Sequence, residues 1–354
     1  MNTKLETVKN SKLTQLETEV NKKAMNLAAS WYVALPSKAL GKKPKEIELF
    51  GLPLVAWRDQ NDQPVIMQRH CSHMGASLAV GKVVDGCIQC PFHHWRYDSS
   101  GQCVFVTSLN EIPPKARQVN YATAERYGYI WVWYGSETPL FPLPEFPAAE
   151  DERHNYMSFR FTDPTTTTPR RVLENGYDYY HFVTLHDVKV SEPIKITLLT
   201  TDQQYLAQQS EPPIQKEARF AALIECSLEG LDPVARAFGF KAENFTLLID
   251  SWCGGQKVTA FIDGKEIYKT LVGMTPITEN NSVQNILVMV KKTGKFWQDI
   301  FHYVVFSLEN RIGAKQDLPI YDNINPNVGG AYVKHDLAVL KYREFHQRWV
   351  DQVE

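Results

Sequence analysis

The sequence predicts an α+β chain, with an all-β first unit that carries metal followed by an antiparallel sheet with covering helices. Three observations lead there. Short segments rich in aromatic and β-branched residues fill positions 31 to 135, a proline-rich stretch follows at 136 to 150, and alternating strands broken by turn signals run from 245 to 290. The expected organisation is an N-terminal segment 1–29, partly disordered, then a first domain 30–145 and a second domain 146–354.

The elements can be justified in order. Trp31-Tyr-Val-Ala opens a series of strand-like segments that includes Pro64 to Gln68, Cys103 to Thr107 and Tyr127 to Tyr134. The last of these reads YGYIWVWY and stops at Gly135, the pattern of a buried strand. Pro139, Pro142, Pro144 and Pro147 cannot share one regular element, so residues 136 to 150 are expected to link the two domains. Beyond them, residues 165 to 186 combine a Thr-rich strand with a helical segment. A meander follows in Phe245 to Trp252, Lys257 to Asp263, Ile267 to Met274 and Val283 to Val290, with Asp263-Gly264 as its strongest hairpin signal. Leu340, Phe345 and Trp349 follow helical spacing within a closing helix, Leu337 to Val353.

Composition excludes several classes. A chain of 354 residues with 44% apolar content can bury two cores, and a formal charge of −2 offers no basic surplus for nucleic acid. No run approaches the ~18 apolar residues that span a bilayer, and residues 1 to 23 are polar and lysine-rich, unlike a secretory signal. Six cysteines in so long a chain do not make a disulfide scaffold, and a cytoplasmic location is the expectation.

The chemistry lies in Cys71-x-His73 and Cys90-x2-His93, with sixteen residues between His73 and Cys90. Two thiolates and two imidazoles on two loops make a metal site. Two Cys and two His also describe structural zinc, but zinc segments usually carry one ligand type each. One Cys and one His per segment suits a 2Fe-2S cluster whose irons differ, one held by two Cys and the other by two His. Zinc remains the alternative on spacing alone. Cys87 and Cys103 are expected to be buried small apolar residues, and His70 and His94 are expected to flank the site without binding metal.

The segments CSHMGA and CPFHHWRYD resemble the two loops of the Rieske iron-sulfur family. In respiratory Rieske proteins each loop has a further cysteine. Ala76 and Phe92 stand there in this chain, so it resembles the low-potential branch without a disulfide.

A second cluster follows. Within Glu174 to His186, Glu174, Asp178 and His181 share one helical face, whereas His186 lies about 140° from His181 at 3.6 residues per turn. The helix must distort or end before His186 if both bind one metal. Two histidines five residues apart in an aromatic segment are, taken alone, ordinary core or surface residues. Asp178-x2-His181-x4-His186 after a Rieske-like unit resembles the mononuclear iron motif of the Rieske non-haem oxygenases. The resemblance implies an all-β Rieske domain, then an antiparallel-sheet catalytic domain of helix-grip type, with His181 and His186 as ligands of a mononuclear Fe(II). Two imidazoles and one carboxylate leave positions open for dioxygen. Lys315-Gln-Asp317-Leu-Pro-Ile-Tyr resembles the segment that supplies the carboxylate, so Asp317 is expected to be the third ligand, with Asp322 as the rival.

Asp178 is expected to accept a hydrogen bond from the outer nitrogen of His181. In the family this Asp also meets the second Rieske histidine of a neighbouring subunit, here His93, which implies a ring, commonly a trimer. The chain has no Gly-x-Gly-x-x-Gly fingerprint and no second set of ferredoxin-spaced cysteines. Electrons must then come from a separate NAD(P)H-dependent reductase, directly or through a ferredoxin. Leu27 to Ala34, Gly86 to Asp98, Ala124 to Gly135 and Gly329 to Tyr332 resemble the arylamine N-oxygenating members, and His94 stands where most relatives carry glycine. The implied activity is monooxygenation of an aromatic or heteroaromatic small molecule, best described as N-oxygenation of an arylamine to a nitro compound. Hydroxylation or demethylation at carbon is the second expectation, and a plain Rieske electron carrier the third. Tyr177, Tyr179, Tyr180, Phe182, Phe245 and Trp252 are candidates to line an apolar pocket.

Overall fold

The computed structural model describes residues 27–107, 111–150, 154–200, 214–228, 243–278, 280–325 and 330–354. Nearly all of the N-terminal segment 1–29 thus lies outside the described residues. The strands before residue 135 are β1 (Ser30–Pro36), β2 (Lys45–Leu49), β3 (Leu52–Arg58), β4 (Pro64–Gln68), β5 (Lys82–Val84), β6 (Cys87–Gln89), β7 (Arg96–Tyr97), β8 (Cys103–Phe105), β9 (Asn120–Tyr121), β10 (Thr123–Arg126) and β11 (Tyr129–Tyr134). They form three small sheets in the orders β1-β11-β10, β2-β3-β4-β9 and β5-β6-β7-β8.

The expected strand Tyr127 to Tyr134 is shorter than its composition suggests. Tyr127 and Gly128 both have positive φ, 61° and 79°, and form the two-residue turn that joins β10 to β11. The rest of the run is apolar at every position because the sheet is covered on both faces. Ile130 and Val132 enter one core with Tyr32 and Ala34, while Trp131 and Trp133 enter another with Trp31, Val33, Trp252 and Leu271.

The proline-rich connection is not a free linker. Phe141 and Phe146 are buried, the carbonyl of Phe141 accepts a hydrogen bond from Trp31 Nε1 (2.8 Å), and a single helical turn, α1 (Pro147–Glu150), follows. Pro139, Pro142 and Pro144 exclude regular structure before that turn but not packing, and Pro147 suits its first position.

The larger sheet comprises β12 (Tyr156–Thr165), β13 (Lys195–Leu198), β14 (Phe220–Ser227), β15 (Asn244–Trp252), β16 (Gly255–Ile262), β17 (Lys265–Thr278) and β18 (Asn281–Lys291), in the order β12-β18-β17-β16-β15-β14-β13. All its pairings are antiparallel. Asp263 and Gly264, with φ of 47° and 73°, make the hairpin from β16 to β17 that their sequence predicts. The helices are α2 (Pro169–Asn175), α3 (Tyr180–Thr184), α4 (Phe296–Asn323) and α5 (Leu337–Val350). The long α4 lies against β12 and β18, and α2 sits between the sheet and α5.

The two β-rich parts touch closely. β1 packs on β17, and the indole of Trp252 donates to the carbonyl of Trp31 (3.1 Å). A Cβ at Gly254 would lie 1.9 Å from that carbonyl oxygen, so only glycine lets the backbones approach this far.

Candidate metal centres

The first centre is built on the β5-β8 sheet. Its two loops place the thiols inward and the imidazoles outward. Cys71 and Cys90 are buried with Val55, Trp57 and Ile88, whereas His73 is exposed and His93 half-buried. The two imidazoles lie 4.6 Å apart between ring centroids, and Trp95 stacks on His73 at 4.3 Å. Tyr97, fully buried, brings its hydroxyl to 3.1 Å from Cys71 Sγ and 2.9 Å from Ser72 Oγ. Burial pushes the Cys90 thiol up, and the N–H groups of Phe92 and His93 oppose that by favouring the thiolate. Soft inward thiolates and outward imidazoles are the donor set that a cluster with two unlike irons needs.

The neighbours resolve unequally. His94 is exposed and holds a φ of 59°, a conformation glycine adopts without cost and other residues adopt rarely. His70 is also exposed. Cys103 is buried, but Cys87 is only half-buried because it begins a short strand just after the Asp85-Gly86 turn.

The second centre departs from a continuous helix. Gly176 ends α2, Asp178 lies between α2 and α3, and α3 ends at Thr184, before His186. Glu174 therefore points elsewhere, buried in ion pairs with Arg170, Arg171 and Arg343 at 2.9–3.0 Å. The break is what allows His181 and His186 to converge, with ring centroids 5.0 Å apart. Ligand atoms of His181, His186 and Asp317 all lie within 4.8 Å of one another.

Each imidazole is oriented through its other nitrogen. His181 Nδ1 donates to the backbone carbonyl of Asp178, and His186 Nδ1 donates to Gln316 Oε1 at 2.8 Å. Both Nε2 lone pairs thereby face the shared space, where Asn175 Nδ2 reaches that of His181 at 3.3 Å, and exchange of this one amide contact for a metal leaves both imidazoles able to bind. Here the expected role of Asp178 is corrected. Its carbonyl, not its carboxylate, meets His181, because the side chain folds back to accept from Tyr180 N (3.2 Å) at the start of α3.

Asp317 Oδ1 is buried, 3.4 Å from His186 Nε2, and has no hydrogen-bond partner among the described residues. An orphaned carboxylate oxygen facing two imidazole lone pairs fits a divalent metal and little else. The nearby Asp317 carboxylate raises the His186 pKa, whereas burial lowers that of His181 despite the same carboxylate. Asp322 stands apart. It accepts from Thr165 Oγ1 and Thr166 N, both at 2.8 Å, and ties the end of α4 to β12.

A cavity of about 210 Å³ opens from these three residues onto β15 to β18, lined by Phe161, Phe182, Leu247, Ile249, Val272 and Ile286 among others. Of the expected aromatic lining only Phe182 contributes. Tyr177 donates to Phe220 O and accepts from Ser251 Oγ within one core, Tyr179 is buried in the same core and Phe245 packs against it, Trp252 is buried in the other, and Tyr180 is exposed. Sequence reasoning missed Gln316 and Asn175, whose Nδ2 lies 3.3 Å from His181 Nε2. Neutral amides carry no spacing signature, although the adjacency of Gln316 to Asp317 was a usable hint.

Residues 30–118 match the Rieske [2Fe-2S] domain family. Over 338 residues the chain is 42% identical to the aminopyrrolnitrin oxygenase PrnD of Pseudomonas fluorescens, covering 92% of each. The chain is a Rieske oxygenase. A 3-ketosteroid-9-alpha-monooxygenase oxygenase component from Rhodococcus rhodochrous is 32% identical over 48% of this chain and 46% of that one. Dicamba monooxygenase bound to 3,6-dichlorosalicylic acid superposes with a TM-score of 0.72 at 18% identity, over 92% of this chain and 97% of that one. The fold is thus that of the Rieske oxygenases throughout, the chain is an oxidoreductase with a Rieske [2Fe-2S] domain, and one structure of dicamba monooxygenase, 19% identical, carries a non-haem iron. No described helix is long and apolar enough to cross a membrane.

Proposed function

We propose that this Rieske oxygenase converts an arylamine to a nitro compound as a monooxygenase. The observation that carries the reading is the 42% identity to PrnD, which over 92% of both chains must include the catalytic half and not only the cluster-binding part. In this reading Cys71, His73, Cys90 and His93 hold the 2Fe-2S cluster, and His181, His186 and Asp317 hold the mononuclear iron. The corresponding division of the chain is 30–145 and 146–354.

When bound, the iron supplies a site for activating dioxygen and the cluster supplies stored electrons. The chain's residues do the rest. Asp178 O and Gln316 Oε1 keep both imidazoles in the tautomer that presents Nε2, and the apolar cavity walls exclude water around the amine. The Asp178 carboxylate, free of His181, is available to meet His93 of a neighbouring copy in a ring, most simply a trimer. The electron source is a separate NAD(P)H-dependent reductase, directly or through a ferredoxin, in the cytoplasm.

The test is to incubate the holoenzyme with a surrogate reductase and a panel of arylamines. Hydroxylamine and nitro products are expected. Products oxidised only at carbon would instead make it a hydroxylase or demethylase.

A further inference from the structure

We propose that Gln284 selects the substrate, which is a neutral arylamine bearing a hydrogen-bond acceptor on the ring end away from the reacting nitrogen. The proposal rests on the arylamine reading for which end of the molecule faces His181, His186 and Asp317. The cavity has a helical side, which supplies those three residues from α3, the turn after it and α4, and a sheet side formed by β15 to β18. Gln284 lies on the sheet side, 5% exposed, and its Nε2 has no hydrogen-bond partner among the described residues.

An unpaired buried amide donor is costly, and an apolar side chain of the same length would avoid the cost. A donor kept there under that cost is the signature of a group whose partner arrives with the ligand. Two neighbours bear on the alternative. Asp163, the cross-strand partner of Gln284, also has an unpartnered oxygen, but it lies outside the cavity lining and is influenced by Arg311 and Lys315. Thr270 Oγ1 is unpartnered too, yet the register sets it four residues farther along, about 13 Å at the usual rise, so the two do not serve one another.

The charge of the ligand follows from what is missing among the described lining residues. No Lys or Arg lines the cavity and Asp317 is its only carboxylate, so neither an anionic nor a cationic substituent would be compensated. A carbonyl, ether oxygen, ring nitrogen or halogen satisfies Gln284 without charge.

Binding to the resting, oxidised holoenzyme tests the assignment without turnover. The probes are 4-aminoacetophenone and 4-isopropylaniline, similar in shape but differing in the acceptor. Isothermal titration should give about tenfold tighter binding of the ketone, the value of one good neutral hydrogen bond. In Gln284→Met the preference should vanish, with affinity for 4-isopropylaniline kept and the ligand-free Tm unchanged or raised by about 2 °C. Gln284→Asn, with the amide one methylene short, should reduce the preference. A wild-type ratio near one, including no binding of either amine, overturns the proposal, as does a ratio that survives in Gln284→Met. A clearly lowered Tm in that variant assigns the carboxamide to the scaffold beside Asp163 and also overturns it. Nitro and ring-oxidised products, scored in separate turnovers, decide the arylamine reading independently of these affinities.

Discussion

At the residue scale, the two centres depend on neutral groups that fix charged or metal-binding ones. Because the carbonyl of Asp178 orients His181, replacing its side chain leaves that contact intact. Asp178→Asn is expected to retain both metal centres, with an unchanged cluster spectrum and about three irons per chain, yet to lose turnover almost entirely. Normal product formation by this variant would reject a role for the carboxylate in electron passage. Gln316 should behave in the opposite way. Gln316→Leu removes the acceptor on His186 Nδ1, and affinity for the mononuclear iron should fall about 10–100-fold while the cluster spectrum stays the same. Metal analysis after dialysis against a mild chelator reads both outcomes. Iron retention equal to wild type would mean that Gln316 does not hold the histidine in the loaded enzyme.

At the element scale, α2 and α5 are joined through Glu174, Arg170, Arg171 and Arg343, with His346 buried beside them. Burial alone would raise the Glu174 carboxyl, but the surrounding guanidinium groups hold it down at about 2. Burial pushes His346 down to about 3, and Arg170 adds to the effect. In each case the folded state binds fewer protons than the unfolded state, so stability is complete above the unfolded pKa and is lost as pH falls. For His346 the window runs from about 6.5 to 3, and for Glu174 from about 4.5 to 2. Of these two groups only His346 operates between pH 7 and pH 5, and its own share of the stability lost over that interval should be about 2 kcal/mol, which the comparison with its variant separates from the other histidines. Denaturant titrations of wild type and His346→Leu at those two pH values should differ by that amount. Equal pH dependence would show that the imidazole is protonated in the folded protein. The Arg170 and Arg171 pairs follow helical spacing to Glu174, but the link to α5 has no pattern in the sequence, because Arg343 reaches Glu174 from 169 residues away. The meander from β15 to β18, by contrast, was legible from Asp263-Gly264 and the alternation around it, since hairpins are specified locally. The helical period also brought Asp178 and His181 to notice, but it carried Glu174 along wrongly, because Gly176 ends α2 in a way that period alone does not reveal. Asp317 emerged only through resemblance. It sits within α4, two residues before Pro319, and nothing in its local sequence points toward two histidines 131 and 136 residues earlier.

At the scale of the whole molecule, the placement of the imidazoles outward at the first centre and of an Asp178 carboxylate turned away from His181 at the second poses the question of which chain's cluster serves which iron site. Two defective chains can decide it. Cys71→Ser should lose the cluster while leaving His181, His186 and Asp317 intact, and His181→Ala should lose the mononuclear iron while leaving the cluster. Each variant alone should be inactive, whatever the route of the electrons. Co-expressed in equal amounts, they form mixed rings if the chain assembles as proposed. An iron-competent chain, half of the total, then finds a cluster-competent neighbour on its donor side half of the time, so roughly a quarter of the wild-type activity per chain should return. Electron passage within a single chain predicts none, since no chain in the mixture carries both centres. Size-exclusion chromatography coupled to light scattering must find the mixed species at the wild-type mass, and separate affinity tags on the two variants show that both are present in it. Recovered activity in doubly tagged rings would establish passage between chains, whereas inactive rings of the correct mass and composition would place both centres of each working unit in one chain.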